Sequence, residues 1–590
     1  MSEIEKVIDE ETASKIDNGS LEAGQAAGRD EAALLDETTG LNESDRLFDA
    51  LCQQFYHAWF RFHPETAVDL GVYDYADQLT SYEHDDIGAL LVLNQKMLSA
   101  LDEINCAELS AGRQLDFRIV KGAITVELHD LEDNDWRYRN PLDYVPVNAI
   151  YQLLIHPGKN VQHAIEKRLQ LIPDYLRGAK VMLSQYPDRV VPEWAHTARE
   201  ISASGTGFIR GLARHPLVAA KFSSPARLQP LLDDAAVALN EFALHLEREV
   251  MPRAKGKFAS GHNRFNRLLK MRHFLDTDAE AVLHFGETLA QDIEQELLQQ
   301  SALICGGQDI AKALAMVREK HPEASQLLDI YRRQMQAAHA WLLQADIVSV
   351  PERQSLKVQQ TPSFMRDVIP FAAYEPPMPQ DKEQRGLYYV TTVEDESLLA
   401  EHNQCSIDLT SVHEAFPGHH LQFVIANQNN RNNMTRLLNT SASMYEGWAL
   451  YCEQLVFEQG LYDKEEHKFI MLRDRLWRAL RIIIDVKIHT GQFSLEDAVE
   501  LLVDKLGFDP SQAASEVNWY CHSAATPLCY AVGSELILKA RDVVGIAGKA
   551  ELKAFHDDLL AQGSIALPLV IQSVFGDAVW QAAHDEMFAD

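Results

Sequence analysis

From about Leu47 onward, apolar residues recur at helical spacing. Val161, Ile165, Leu169, Ile172 and Leu176 follow one another at intervals of three or four, and Val282, Leu289, Ile293 and Leu297 keep the same phase. Side chains so spaced share one face of a helix, so each run predicts an amphipathic helix with one buried stripe. No short internal repeat accompanies them. The first three hundred or so residues are therefore expected to form a mostly helical lobe.

The pattern changes between about 346 and 405. "SLKVQQTPSFMRDVIPFAAYEPPMPQDKEQRGLYYVTTVED" is rich in proline and in β-branched or aromatic residues, and runs such as "GLYYVTTV" predict short strands. Helical patterning then returns and continues to the C-terminus. The expected fold is mainly α: a bilobed helical domain with a small β-sheet next to the helix that carries the candidate chemistry. Its helical lobe covers 46–345 and its second, catalytic lobe 346–590, the two forming one structural unit. An edge strand there would hold an extended peptide by main-chain hydrogen bonds. A surface hairpin fits the same pattern.

Residues 1–45 stand apart, with 13 Asp and Glu against three Lys and Arg, and are expected to form a solvated, disordered tail without a part in chemistry. The whole chain of 590 residues carries 54 Lys and Arg against 87 Asp and Glu, a net charge of −33. That balance argues against nucleic acid or an anionic membrane as partner. No run of about 18 apolar residues predicts a membrane span, and the first twenty residues lack the apolar centre of a signal peptide. The seven cysteines are scattered and form no CxxC pair, which predicts reduced thiols and a cytoplasmic location.

The candidate chemistry lies in "SVHEAFPGHHLQF", residues 411–423. In an HExxH helix two histidines one turn apart reach one zinc, and the glutamate beside the first activates a water. Here Pro417 stands four residues after His413. On a regular helix His419 would point about 120° away from His413, and His420 would lie ~10 Å further along. Pro417 removes a main-chain donor and Gly418 tolerates unusual dihedrals. A two-residue bulge would bring His419 to the missing position; His420 is the other candidate. The alternative is a kinked helix with three histidines of no special role. A further ligand is expected from the helix in "SMYEGWALYCEQLVFEQG", where Glu446 is the candidate. Ser443 and Glu446 also fit a capping box, and Glu453 is expected behind a ligand or at the surface.

"HEAFPGHHLQ" followed by "EGWALYCE" resembles the bacterial family called domain of unknown function 885, whose signature is HExxPGHxxQ and then EGWALYxE. The resemblance extends from about residue 46 to the end and implies a helical, zincin-like metalloprotein. It implies His413, His419 and Glu446 as Zn2+ ligands, Glu414 as the base, and Gln422 as a residue behind the ligands or in helix packing. "RIIIDVKIHTGQFSLEDA" is similar to a second family segment at Asp485 and His489 but departs at Val486 and Lys487. "VNWYCHSAATPLCYAVG" matches a third at Tyr520, Tyr530 and Gly533; Trp519 replaces a commoner arginine and no glutamine precedes Tyr530.

The expected function is zinc-dependent hydrolysis of peptide bonds, with Glu414 as general base and Tyr520, Tyr530 and His489 as candidate donors to the oxyanion. The substrate is expected to be a peptide or a small amide. Arg473, Arg475, Arg478 and Arg481 are expected on a solvated face, one of them available for a peptide carboxylate. The competing readings are a zinc amidohydrolase acting on a small molecule and a non-catalytic helical binding protein with a structural or vestigial metal site.

Overall fold

The computed structural model describes residues 42–222, 225–366, 369, 371–393 and 396–589. The expected tail lies outside the described residues as far as position 41. Its last residues are a correction: the chain is helical from Glu43, in α1 (Glu43–Trp59), with the Asn42 side chain accepting from the Asp45 N–H. The two apolar stripes form helices, α2 (Val161–Gln185) and α3 (Ala279–Cys305), each burying most of its stripe. None of the described helices is long and apolar enough to cross a membrane.

The strand-rich segment folds as β1 (Ser355–Gln360), β2 (Ala372–Glu375) and β3 (Arg385–Val390) in the order β1-β3-β2. β1 runs parallel to β3 with Ser355 opposite Arg385, and β2 runs antiparallel with Ala372 opposite Val390. This is not a surface hairpin, because Tyr388, Tyr389 and Val390 of the central strand are buried. Successive strand side chains point to opposite faces. Tyr388 therefore joins an apolar cluster reaching from Leu115 to Phe588, while Tyr389 joins one drawn mostly from residues 68–250. The larger cluster runs across position 346, so the core has no boundary there.

Five helices after the sheet build the site: α4 (Gln404–Glu414), α5 (His419–Asn430), α6 (Ala442–Glu458), α7 (Glu465–His489) and, beyond α8 (Pro510–His522), α9 (Cys529–Val544).

Candidate metal centre

The bulge expected within one helix is instead a break between two. α4 stops at Glu414 and α5 starts at His419, with a cis Phe416–Pro417 peptide between them. The Gly418 N–H donates to the Val412 carbonyl at 3.0 Å. A Cβ on Gly418 would lie 1.9 Å from the His413 carbonyl oxygen, so only glycine lets α5 start this close to the end of α4. The Trp448 indole N–H donates to the Pro417 carbonyl at 2.8 Å and ties the break to α6. His419, at the first turn of α5, thereby comes back beside His413, with ring centres 4.8 Å apart and planes perpendicular.

Glu446 completes the group. The N-cap of α6 is Ser441, whose side chain accepts from the Ser443 N–H, so the capping box considered for Glu446 does not form. The Nε2 atoms of His413 and His419 lie 3.4 and 3.2 Å from Glu446 Oε2. These are not hydrogen bonds in geometry: that buried oxygen has no hydrogen-bond partner. The donor atoms face a common point instead. Tetrahedral zinc with bonds near 2.0–2.1 Å places its donors about 3.3 Å apart, so the three residues fit a zinc ion.

The electrostatics agree with a site built for a cation. Burial lowers the His413 pKa, but Glu446 and Glu453 outweigh it and push it up to about 10. Burial raises the Glu446 carboxyl, and His419 and His413 reverse this, holding it well below the usual carboxylate range. Glu453 is no surface residue. It is 2% exposed, and its Oε1 lies 2.8 Å from His413 Nδ1, which turns Nε2 toward Glu446.

His420 is excluded as a ligand. Tyr374 of β2 meets its Nδ1 at 3.1 Å and Gln354 meets its Nε2 at 2.8 Å, while burial lowers its pKa to about 3. Gln422 donates to the Ser564 hydroxyl at 2.8 Å, a packing role. Glu414 ends α4 partly exposed, and burial raises its carboxyl against the pull of His413 and His419.

The three candidate oxyanion donors separate. Only Tyr530 reaches the trio: its ring lies 6.4 Å from that of His413 and nearly parallel to it, and Glu446 helps burial to raise its hydroxyl well above 10. A close approach of α6 and α9 sets this pair. A Cβ on Gly533 would lie 2.1 Å from the Ser443 carbonyl oxygen, and one on Gly447 would lie 2.6 Å from Gly533 Cα. Gly447 follows Glu446, and Gly533 stands one turn beyond Tyr530.

The other two donors are committed elsewhere. The Tyr520 hydroxyl accepts from Trp477 and Arg481 at 3.1 and 3.0 Å and donates to Glu516 at 3.0 Å. His489 accepts from the Ser260 N–H and donates to the Tyr520 carbonyl, and burial lowers its pKa to about 4. The two residues brace α7 against α8, and the buried Asp485 accepts from the Ala525 and Leu528 N–H groups.

The arginine face is also corrected. Arg473 and Arg481 are buried and Arg475 and Arg478 half-buried. Arg475 pairs with Glu535 at 2.6 Å, Arg481 with Glu516 at 3.0 Å, and Arg478 lies over Trp477. None is left on a solvated face.

A cleft of about 400 Å³ takes His419, Glu446, Tyr374, Glu375, Phe423 and Tyr445 into its wall. A chamber of about 610 Å³ adjoins it and shares Thr440 and Tyr445. Tyr374 and Tyr445 were not singled out in the sequence; the EGW motif directly after Tyr445 was the one available signal.

A family described as bacterial proteins of unknown function, domain of unknown function 885, matches residues 64–574. No curated protein sequence matches the chain. Among solved structures, the chain is similar to a putative lipoprotein of unknown function from Shewanella oneidensis, with 18% identity and a TM-score of 0.72 over 89% of this chain and 99% of that one. It is also similar to a putative lipoprotein from Colwellia psychrerythraea, with 16% identity and a TM-score of 0.73 over 90% and 98%. At such identities the likeness carries the fold, mainly helical with one small sheet. The family match spans most of the chain, and the chain belongs to the family domain of unknown function 885.

Proposed function

We propose that this protein is a zinc-dependent metallopeptidase. The observation that carries the reading is the convergence of His413 and His419 Nε2 on a buried Glu446 oxygen that no hydrogen bond satisfies, next to Glu414. His413, His419 and Glu446 would hold the zinc, which when bound would supply a Lewis acid to activate water and polarise a carbonyl. Glu414, its pKa raised by burial, accepts a proton from the attacking water and passes it to the leaving amine. Tyr530 donates its hydroxyl proton toward the developing oxyanion, a role that Tyr520 and His489 are too committed to fill. The adjoining cleft and chamber favour a peptide over a small amide, since together they exceed what a drug-sized molecule fills. Seven unpaired cysteines, five of them buried, support the cytoplasmic location proposed with this function.

The test combines metal content of the purified full chain by mass spectrometry with cleavage of a peptide library. Near-stoichiometric zinc, lost in His419→Ala and kept in His420→Ala, is expected, together with cleavage that Glu414→Gln abolishes. Cleavage of small amides but no peptides would replace the reading with an amidohydrolase. Wild-type protein that takes up no zinc when it is supplied would overturn it in favour of a binding protein.

A further inference from the structure

The chamber beside the metal cleft carries three arginines in its wall, Arg139, Arg264 and Arg272. Arg264 makes two hydrogen bonds to Asp130 at 2.7 and 3.0 Å. Arg139 donates to Asn134 and to the Lys257 carbonyl. The Arg272 side chain makes no hydrogen bond or ion pair with any described residue. Arg272 is exposed to water and lines the chamber wall. The acids of the same wall are hydrogen-bonded to other groups, Glu127 to Trp59 and Asn94, Asp130 to Arg264 and Asp143 to Asn140, and Asp130 acts on the Arg272 charge without pairing with it.

A guanidinium that faces a chamber with no hydrogen-bond or ion-pair partner of its own is available to meet an anion there. The two cavities differ in the charge they offer. The metal cleft is walled by Glu375, which repels an anion and favours an ammonium group, and its arginine, Arg436, is tied to Asp116 at 2.7 Å. Tyr445, next to Glu446 in the chain, lines both cleft and chamber. A molecule spanning both would place its positive end in the cleft and its negative end in the chamber.

We infer that the Arg272 guanidinium binds the C-terminal carboxylate of a short peptide that runs past Tyr445 to the metal centre, so that the substrates are short peptides with a free C-terminus. A guanidinium can meet a carboxylate with two parallel hydrogen bonds, which an amide end cannot match. This inference rests on the peptidase reading for its substrate, but its test reads binding alone. Full-length Glu414→Gln protein is incubated with a pool of unblocked tripeptides and with the same pool amidated at the C-terminus, and retained peptides are quantified by mass spectrometry after ultrafiltration.

Unblocked peptides are expected to be retained about tenfold or more over their amides. Adding Arg272→Gln is expected to erase that preference while zinc content and circular dichroism stay unchanged, and Arg272→Lys is expected to restore part of it. Equal retention of both pools, no retention of either, or a preference that survives Arg272→Gln would overturn the inference. Selective binding without hydrolysis by the wild-type chain would sink the peptidase reading and leave the carboxylate site standing.

Discussion

Replacing Glu453 by Gln tests whether the site is arranged for a metal. The substitution keeps an acceptor oxygen and nearly the same volume and removes the charge. Glu453 is 2% exposed and its Oε1 lies 2.8 Å from His413 Nδ1, so bulk water cannot substitute for what is lost. A hydrogen bond to a charged group contributes about 1.5–3 kcal/mol and a neutral one about 1 kcal/mol. The difference, about 0.5–2 kcal/mol, corresponds to zinc binding weakened about two- to thirtyfold. That range overlaps the tenfold to hundredfold effect usual for partners behind metal-bound histidines, about 10–100. Competition against a chromophoric chelator measures the affinity, with circular dichroism as the control for folding. In a His413→Ala background the same substitution should have no further effect, because its only route to the metal is through that imidazole. Affinity within about twofold of wild type, or an equal loss in both backgrounds, would refute the reasoning.

Two further outcomes follow from the geometry. Gly533→Ala sets a Cβ 2.1 Å from the Ser443 carbonyl oxygen, a backbone atom that cannot swing away, so α6 and α9 must separate. Overpacking of this kind costs about 1–3 kcal/mol or more, seen as a lowered Tm with reduced peptide cleavage as Tyr530 leaves Glu446; an unchanged Tm would contradict the contact. Asp69 has its carboxyl pushed up to about 7, by burial first, with His156 opposing and Glu375 adding. As pH rises from about 4 to 7 the unfolded chain ionises there while the folded chain holds its proton, so wild-type stability falls through that window and levels off above it. Asp69→Asn should therefore gain stability over wild type between about pH 4 and 7, by up to about 4 kcal/mol, in urea denaturation; an advantage independent of pH would show that Asp69 does not titrate so.

What the sequence determined is local. Helical stripes, the strand texture of "GLYYVTTV", and the His413-Glu414 pair close to Pro417-Gly418 are features of residues within a turn or two of each other, where spacing alone dictates which side chains share a face. The candidate trio could be named because two of its members lie six residues apart and the third stands in a recognisable helix, while the choice of His419 over His420 came from the family resemblance.

Tertiary structure decided everything that depends on a partner far along the chain. His419 rather than His420 faces Glu446 because Gln354, 66 residues before His420, and Tyr374 of β2 occupy both nitrogens of the latter. Glu453 stands behind His413 across 40 residues of chain. The arginines of α7 look like a surface stripe by composition, and became buried because α8 and α9 bring Glu516 and Glu535 against them. Tyr530 stands beside the trio while Tyr520 and His489 do not, since α9 meets α6 backbone to backbone through Gly447 and Gly533. Periodicity records which face of a helix is buried; it does not record which polar group on a neighbouring helix will meet a given nitrogen, and at this centre that pairing is the chemistry.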